Sequence, residues 1–172
     1  RLGALDGLAR VIHMSSFSKT LSAATRLGFI AADAETIGGL VDLKLAMSFG
    51  NNELSAQLVH RLLLDGSYRK HVAGIRERLA RLRLQVGRKL MGLGFTPWDA
   101  GAFESDEGMF LWLALPTGRR GQPLAADIAF AAETAGLVLA PGNVFSPDGN
   151  WPHHLRFNVA QCQDPRVFSI LK

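Results

Sequence analysis

The chain has 172 residues, of which 48 % are hydrophobic and 20 % charged, and it carries a formal net charge of +4. These are globular values for about one domain, and they exclude disordered, collagen-like and low-complexity classes. The single cysteine, Cys162, excludes an internal disulfide framework and a cysteine-rich zinc site, and no apolar run is long enough to span a membrane. With no signal peptide at the front, the expectation is a cytoplasmic protein without membrane contact. The first residue is Arg1 rather than Met, so a natural start is not expected there.

In chain order, Arg10 to Ser15 and Leu27 to Ala32 are β-rich runs that read as buried strands, joined by a Ser/Thr-rich connection from Ser16 to Arg26. Asp33 is a plausible N-cap for a helix through about Phe49, Gly50 breaks it, and Asn51 or Asn52 can cap a second helix ending near Gly66. Ser67 begins a long helix closed by Gly92 and Gly94. Its apolar residues Val72, Ile75, Leu79, Leu82, Val86, Leu90 and Leu93 recur every three or four positions, the stripe of an amphipathic helix. Gly108 to Leu115 reads as a strand stopped by Pro116, and Thr117 to Gln122 as a polar turn. A helix from Pro123 to Ala135, a strand from Leu137 to Ala140 and a turn at Pro141-Gly142 follow. Leu155 to Val159 is a further strand, and Asp164 can cap a terminal helix from Pro165. The second half is thus an α+β layout with helices on one face of a small sheet. The front two strands cannot make a core by themselves and look like the edge of a larger sheet. The expected organisation is 1–50 as the edge of a large domain, 51–95 as connecting helices and 96–172 as a small domain.

The basic charge is local. Between Arg61 and Lys89 the net charge is +7, and the rest of the chain carries −3. Those arginines fall between the apolar positions of the long helix, where a solvated face belongs, and only Tyr68 offers a base-stacking ring. A soluble arginine-rich face is the favoured reading over a nucleic-acid surface.

Ser15 to Gly28, SSFSKTLSAATRLG, places Ser16, Ser18, Lys19, Thr20 and Arg26 in one connection after a strand. Hydroxyls with a forked guanidinium suit a phosphate, and a partly desolvated lysine amine can attack a carbonyl. From residue types alone, a hydroxyl-rich turn with an exposed lysine is the favoured reading.

The order of the letters goes further. SFSKTL followed by RLGFIAA resembles the lysine segment of fold-type I pyridoxal-phosphate enzymes, the aspartate-aminotransferase superfamily. The resemblance implies that Lys19 holds pyridoxal 5'-phosphate covalently and acts as the catalytic base. It implies that Ser16 and Arg26, with Ser18, bind the cofactor phosphate. GSYRKHVAGIRERLARLR looks like the long interdomain helix of that superfamily, and EGMFLWLALP like the first strand of its small domain. LVLAPGNVF followed by HHLRFNVA looks like its closing segment, whose arginine clamps the substrate α-carboxylate, a role that maps onto Arg156. The implied architecture is α/β: the C-terminal small domain of the fold-type I transferase fold, preceded by the last strands of the large domain. Within the superfamily the strings are closest to the aminotransferase-like domain of GntR-family regulators of the MocR type. Free-standing aminotransferases of the aminoadipate/kynurenine group share nearly the same strings.

The resemblance also implies an amino-acid or pyridoxal-phosphate effector, a homodimer, and DNA contact only through an N-terminal winged helix preceding Arg1. In the superfamily the residues that hold the cofactor ring lie far upstream of the lysine, and only 18 residues precede Lys19 here. Asp6, in a loop-like LDGLA, is too close in sequence to be the ring-nitrogen aspartate. The chain alone is therefore expected to be catalytically silent. Adjacent His153 and His154 are not expected to bind a metal, since neighbours in a strand face opposite ways. Trp98, Trp112 and Trp151 read as core and interface aromatics, and Cys162 as an inert thiol.

Overall fold

In the computed structural model of the chain, residues 2–98, 108–116 and 123–172 are described. They form two compact units, one up to Ile75 and one from Arg76 onward. The predicted turn Thr117–Gln122 lies outside the described residues.

The first unit opens with helix α1 (Leu2–Asp6), so Asp6 ends a helix rather than lying in a loop. Its carboxylate accepts hydrogen bonds from the Arg10 backbone N–H at 2.6 Å and from the Arg10 guanidinium at 3.0 and 3.1 Å. That tie keeps Arg10 out of the ladder, and the first strand, β1 (His13–Ser16), starts three residues later than expected. It pairs antiparallel with β2 (Gly28–Ala31), in the register Met14 opposite Ile30 and Ser16 opposite Gly28. The expectation that these strands are buried is corrected: Met14 is 69 % exposed, and Phe29 and Ile30 are over 40 % exposed. A two-stranded ladder has too little sheet to bury either of its faces.

Two helices follow, both started by the caps that local chemistry predicts. Asp33 begins α2 (Ala34–Ser48), accepting from the Thr36 N–H at 2.9 Å and the Thr36 hydroxyl at 2.6 Å. These bonds hold the Asp33 carboxyl below its ordinary pKa. Of the two candidate asparagines, Asn52 caps α3 (Glu53–Leu64), accepting from the Ser55 N–H at 3.0 Å. Only Phe17 and Val59 are buried hydrophobics among the described residues of this unit. A groove of about 880 Å³ between the hairpin and α2 is lined by Met14, Phe29, Ile30, Val41 and Met47.

Helix α4 (Ser67–Gly92) runs from the first unit into the second. Its predicted stripe is the inward one: Val86 and Leu90 are buried, and Val72, Ile75, Leu79, Leu82 and Leu93 are half-buried. The arginine row departs from expectation at one place, because Arg83 is buried.

The second unit is a four-stranded antiparallel sheet, in the order β3 (Thr96–Pro97), β4 (Phe110–Ala114), β6 (His154–Asn158) and β5 (Ala140–Pro141). Helices α5 (Ala125–Thr134) and α6 (Arg166–Ile170) complete it. Strand alternation sorts the side chains. Leu111, Leu113, Leu155 and Phe157 are buried in the core with Val86, Leu90, Phe95 and Val159. Phe110, Trp112, His154 and Arg156 therefore stand on the opposite face. The strand expected at Leu137–Ala140 shrinks to Ala140–Pro141 because Leu137 is used elsewhere: its N–H closes α5 on the Ala132 carbonyl at 3.0 Å, past Gly136 in the left-handed region. Pro141 pairs in the sheet rather than turning, and Gly142–Phe145 form a single 3₁₀ turn. At the terminal helix the Asp164 carboxylate accepts from the Arg166 backbone N–H at 2.9 Å.

Candidate functional site

The connection between β1 and β2 is pinned by one side chain. Phe17 is 6 % exposed and packs against Phe29 and edge-on against Tyr68, with ring centroids 5.8 and 5.5 Å apart. Its carbonyl accepts from the Leu21 and Ser22 N–H groups, closing a tight turn over residues 18–21. The Tyr68 hydroxyl donates to Thr20 Oγ1 at 2.8 Å, fixing the same turn to α4. Neither Phe17 nor Tyr68 stands out as a site residue in the sequence; the alternation of SSFS, which turns Phe17 away from Ser16 and Ser18, is the signal that points to it.

On the outward side of this turn, Ser16 Oγ donates to Ser18 Oγ at 3.0 Å and accepts from the Ser18 N–H at 3.1 Å. Lys19 follows immediately and is exposed. Ser22 then caps a 3₁₀ turn (Ala23–Thr25), its Oγ accepting from the Ala24 N–H at 3.2 Å, and Arg26 ends it in the left-handed region with φ 47°. Among the described residues, Lys19 Nζ and the Arg26 guanidinium have no hydrogen-bonding or ionic partner. At Gly28, opposite Ser16, a Cβ would sit 2.7 Å from the Ser15 carbonyl oxygen, so only glycine allows the ladder to close here. The structure thus brings Ser16 and Ser18 into contact and keeps Lys19 and Arg26 on the same connection, with no carboxylate of the described residues paired to either. Hydroxyls and a guanidinium can hydrogen-bond a phosphate, and a lysine amine can meet a carbonyl.

Arg156 belongs to the second unit, at the centre of β6, with Trp112 opposite it on one side and Ala140 on the other. Its guanidinium carbon lies 4.3 Å from the Phe110 ring centroid and 4.1 Å from that of Phe145. Beside it, His154 stacks on Trp112 at 5.7 Å, and Trp151 meets Trp98 edge-on at 4.5 Å. The tryptophans therefore form one aromatic cluster, although Trp98 remains 65 % exposed. His154 is held below its ordinary pKa by burial and by neighbouring His153. Cys162 is buried, which pushes its thiol up to about 11. Among the described residues no three His, Cys, Asp or Glu side chains converge as a metal set, and no helix is long and apolar enough to cross a membrane.

The family model of aminotransferase class I and II matches residues 2–171; the chain belongs to this family. Its relatives divide into regulators and enzymes. It is 32 % identical over 151 residues to the HTH-type transcriptional regulator YdcR of Escherichia coli, covering 87 % of this chain and 31 % of that protein. It is 31 % identical over 172 residues to the 2-aminoadipate transaminase of Thermus thermophilus, covering 93 % of this chain and 40 % of that one. Among solved structures it superimposes on LysN, the α-aminoadipate aminotransferase of Thermus thermophilus, with a TM-score of 0.75 and 26 % identity, over 99 % of this chain and 43 % of that one. That structure is a complex with N-(5'-phosphopyridoxyl)-L-leucine. The chain spans between about a third and two fifths of the length of the curated relatives named here. The expected architecture, the C-terminal part of the fold-type I fold, is the one found.

Proposed function

We propose that this chain is the lysine-bearing and carboxylate-binding part of a pyridoxal-phosphate protein, most simply a MocR-type regulator whose aminotransferase-like domain binds the cofactor or its amino-acid adduct. The observation that carries this reading is the connection between β1 and β2, on which the Ser16 and Ser18 hydroxyls touch and which also carries Lys19 and Arg26, whose end groups have no partner among the described residues. Ser16, Ser18 and Arg26 hold the phosphate, and Lys19 Nζ engages the cofactor carbonyl. Bound there, the cofactor supplies the electron sink for chemistry at the substrate Cα. Lys19 Nζ would take up and return the proton at that Cα, while Arg156 would orient the substrate by gripping its carboxylate.

In this reading residues 1–50 are the edge of the large domain, 51–95 connect, and 96–172 form the small domain. The apolar groove between the hairpin and α2 is then the surface on which the remainder of the large domain packs. The whole protein is a cytoplasmic homodimer that reaches DNA only through a winged-helix domain ahead of Arg1. The similarity to the Thermus 2-aminoadipate transaminase favours a second reading, in which the whole protein transfers amino groups.

The test uses the full-length protein. Borohydride fixes pyridoxal phosphate to the unaltered protein, and Lys19→Ala abolishes the fixation; label retained by the alanine variant overturns the lysine assignment. Operator binding that responds to an amino acid, without turnover, supports the regulator. Turnover of an amino acid and a 2-oxo acid without DNA binding supports the enzyme.

A further inference from the structure

Arg156 lies on the aromatic face of the sheet, half-buried, and among the described residues its N–H groups have no hydrogen-bond or ionic partner. What it has instead are two rings, Phe110 at 4.3 Å and Phe145 at 4.1 Å from its guanidinium carbon. The Phe110 backbone and the Phe145 ring are each held by a contact of their own. Phe110 opens β4, opposite Asn158, and its carbonyl accepts a 2.8 Å hydrogen bond from Arg83. Phe145 ends the 3₁₀ turn and meets Trp112 edge-on at 5.7 Å. That turn begins at Gly142, where any Cβ would run into the Trp151 carbonyl, so the turn is pressed against its support. A guanidinium over the faces of two rings keeps its donor fork without spending a hydrogen bond on the described residues. A carboxylate partner would orient it equally well, but it would also neutralise it.

From this arrangement we propose that Phe110 and Phe145 are positioning residues, which hold the Arg156 fork oriented and uncompensated for a carboxylate ligand. The proposal rests on the reading of Arg156 as the carboxylate-binding residue. A π-face attracts the cation without competing for its N–H groups, which a ligand carboxylate then takes bidentately.

The test is calorimetric titration of the full-length protein, with pyridoxal phosphate present, using L-leucine, L-phenylalanine and L-lysine. Each is paired with the amine that lacks its carboxylate: isoamylamine, phenethylamine and cadaverine. Phe110→Leu and Phe145→Leu are each expected to weaken binding of the preferred amino acid about tenfold while leaving its amine unchanged. Phe110→Tyr and Phe145→Tyr, which keep the ring, are expected to stay within about twofold of the unaltered protein. A loss affecting acid and amine equally shows only a packing role and overturns the proposal. If Arg156→Ala loses the amino acid but both leucine variants keep it, the positioning role fails and the arginine reading survives. If no amino acid binds better than its amine, or Arg156→Ala binds unchanged, the arginine reading itself falls.

Discussion

Arg83 Nη1 donates a 2.8 Å hydrogen bond to the backbone carbonyl of Phe110, binding α4 to the first residue of β4. The side chain is 8 % exposed, in a row whose other arginines face water, and burial lowers the pKa of its guanidinium. Removing the donor leaves a carbonyl without its partner beside the core, which costs about 1–3 kcal/mol. Arg83→Leu is therefore expected to lower the urea midpoint by that equivalent, while Arg76→Ala on the exposed face changes stability by less than about 0.5 kcal/mol. Equal effects of the two would show that the buried contact carries no special weight.

Gly28 and Gly38 make a pair with opposite expectations. A methyl at Gly28 meets the Ser15 carbonyl oxygen at 2.7 Å, backbone against backbone, and neither side can yield without parting β1 from β2. Gly28→Ala is expected to destabilise by about 1–3 kcal/mol and to speed hydrogen exchange of the Phe17 N–H, which bonds the Leu27 carbonyl. Gly38 lies inside α2, where a methyl on its Cα would meet nothing within 4 Å, so Gly38→Ala gains up to about 1 kcal/mol from helix propensity. Thermal unfolding of the two variants reads both signs.

What could be read from the sequence was whatever depends on near neighbours. Asp33 and Asn52 cap helices through bonds to residues three positions on, and the stripe of α4 follows from its own spacing. The family was legible through the order of the letters in SFSKTL and RLGFIAA. Contacts made at long range were not. Arg83 meets a carbonyl 27 residues away, and Tyr68 meets Thr20 across 48, so neither could be told from an ordinary exposed arginine or a lone aromatic. The burial of β1 and β2 was overestimated for a related reason: apolar letters report a face that can be covered, and a two-stranded ladder does not itself cover it. Leu137 read as strand because the backbone bond that ends α5 on it leaves no mark in its side chain.

Cys162 should be inert to thiol reagents until the chain unfolds. With its thiol pushed up to about 11 by burial, about one molecule in a thousand carries the thiolate at pH 8. Labelling by Ellman's reagent is expected to be slower than in denaturant by about a hundredfold or more. The same shift sets a sign for stability. Above about pH 9 the unfolded chain releases a proton that the folded chain retains, so stability falls from about pH 9 to about pH 11 and then levels. Subtracting the profile of Cys162→Ala isolates this part of the pH dependence; a difference that grows more stabilising with pH would contradict it.

Tyr68 joins α4 to the lysine turn by two separable contacts, a hydroxyl and a ring. Tyr68→Phe removes the 2.8 Å hydrogen bond to Thr20 Oγ1 but keeps the edge-on packing against Phe17, so a loss of about 1 kcal/mol is expected. Tyr68→Ala also removes the ring beside the one buried side chain of the turn and should cost about 3 kcal/mol or more. Because Thr20 adjoins Lys19, loosening the turn also disperses the donors around it. Tyr68→Phe is accordingly expected to weaken pyridoxal-phosphate binding by the full-length protein a few-fold without abolishing it, in contrast to Lys19→Ala. Absorbance titration with the cofactor distinguishes the two. Unchanged affinity alongside lost stability would confine Tyr68 to folding, and complete loss of binding would place its hydroxyl among the groups that touch the cofactor.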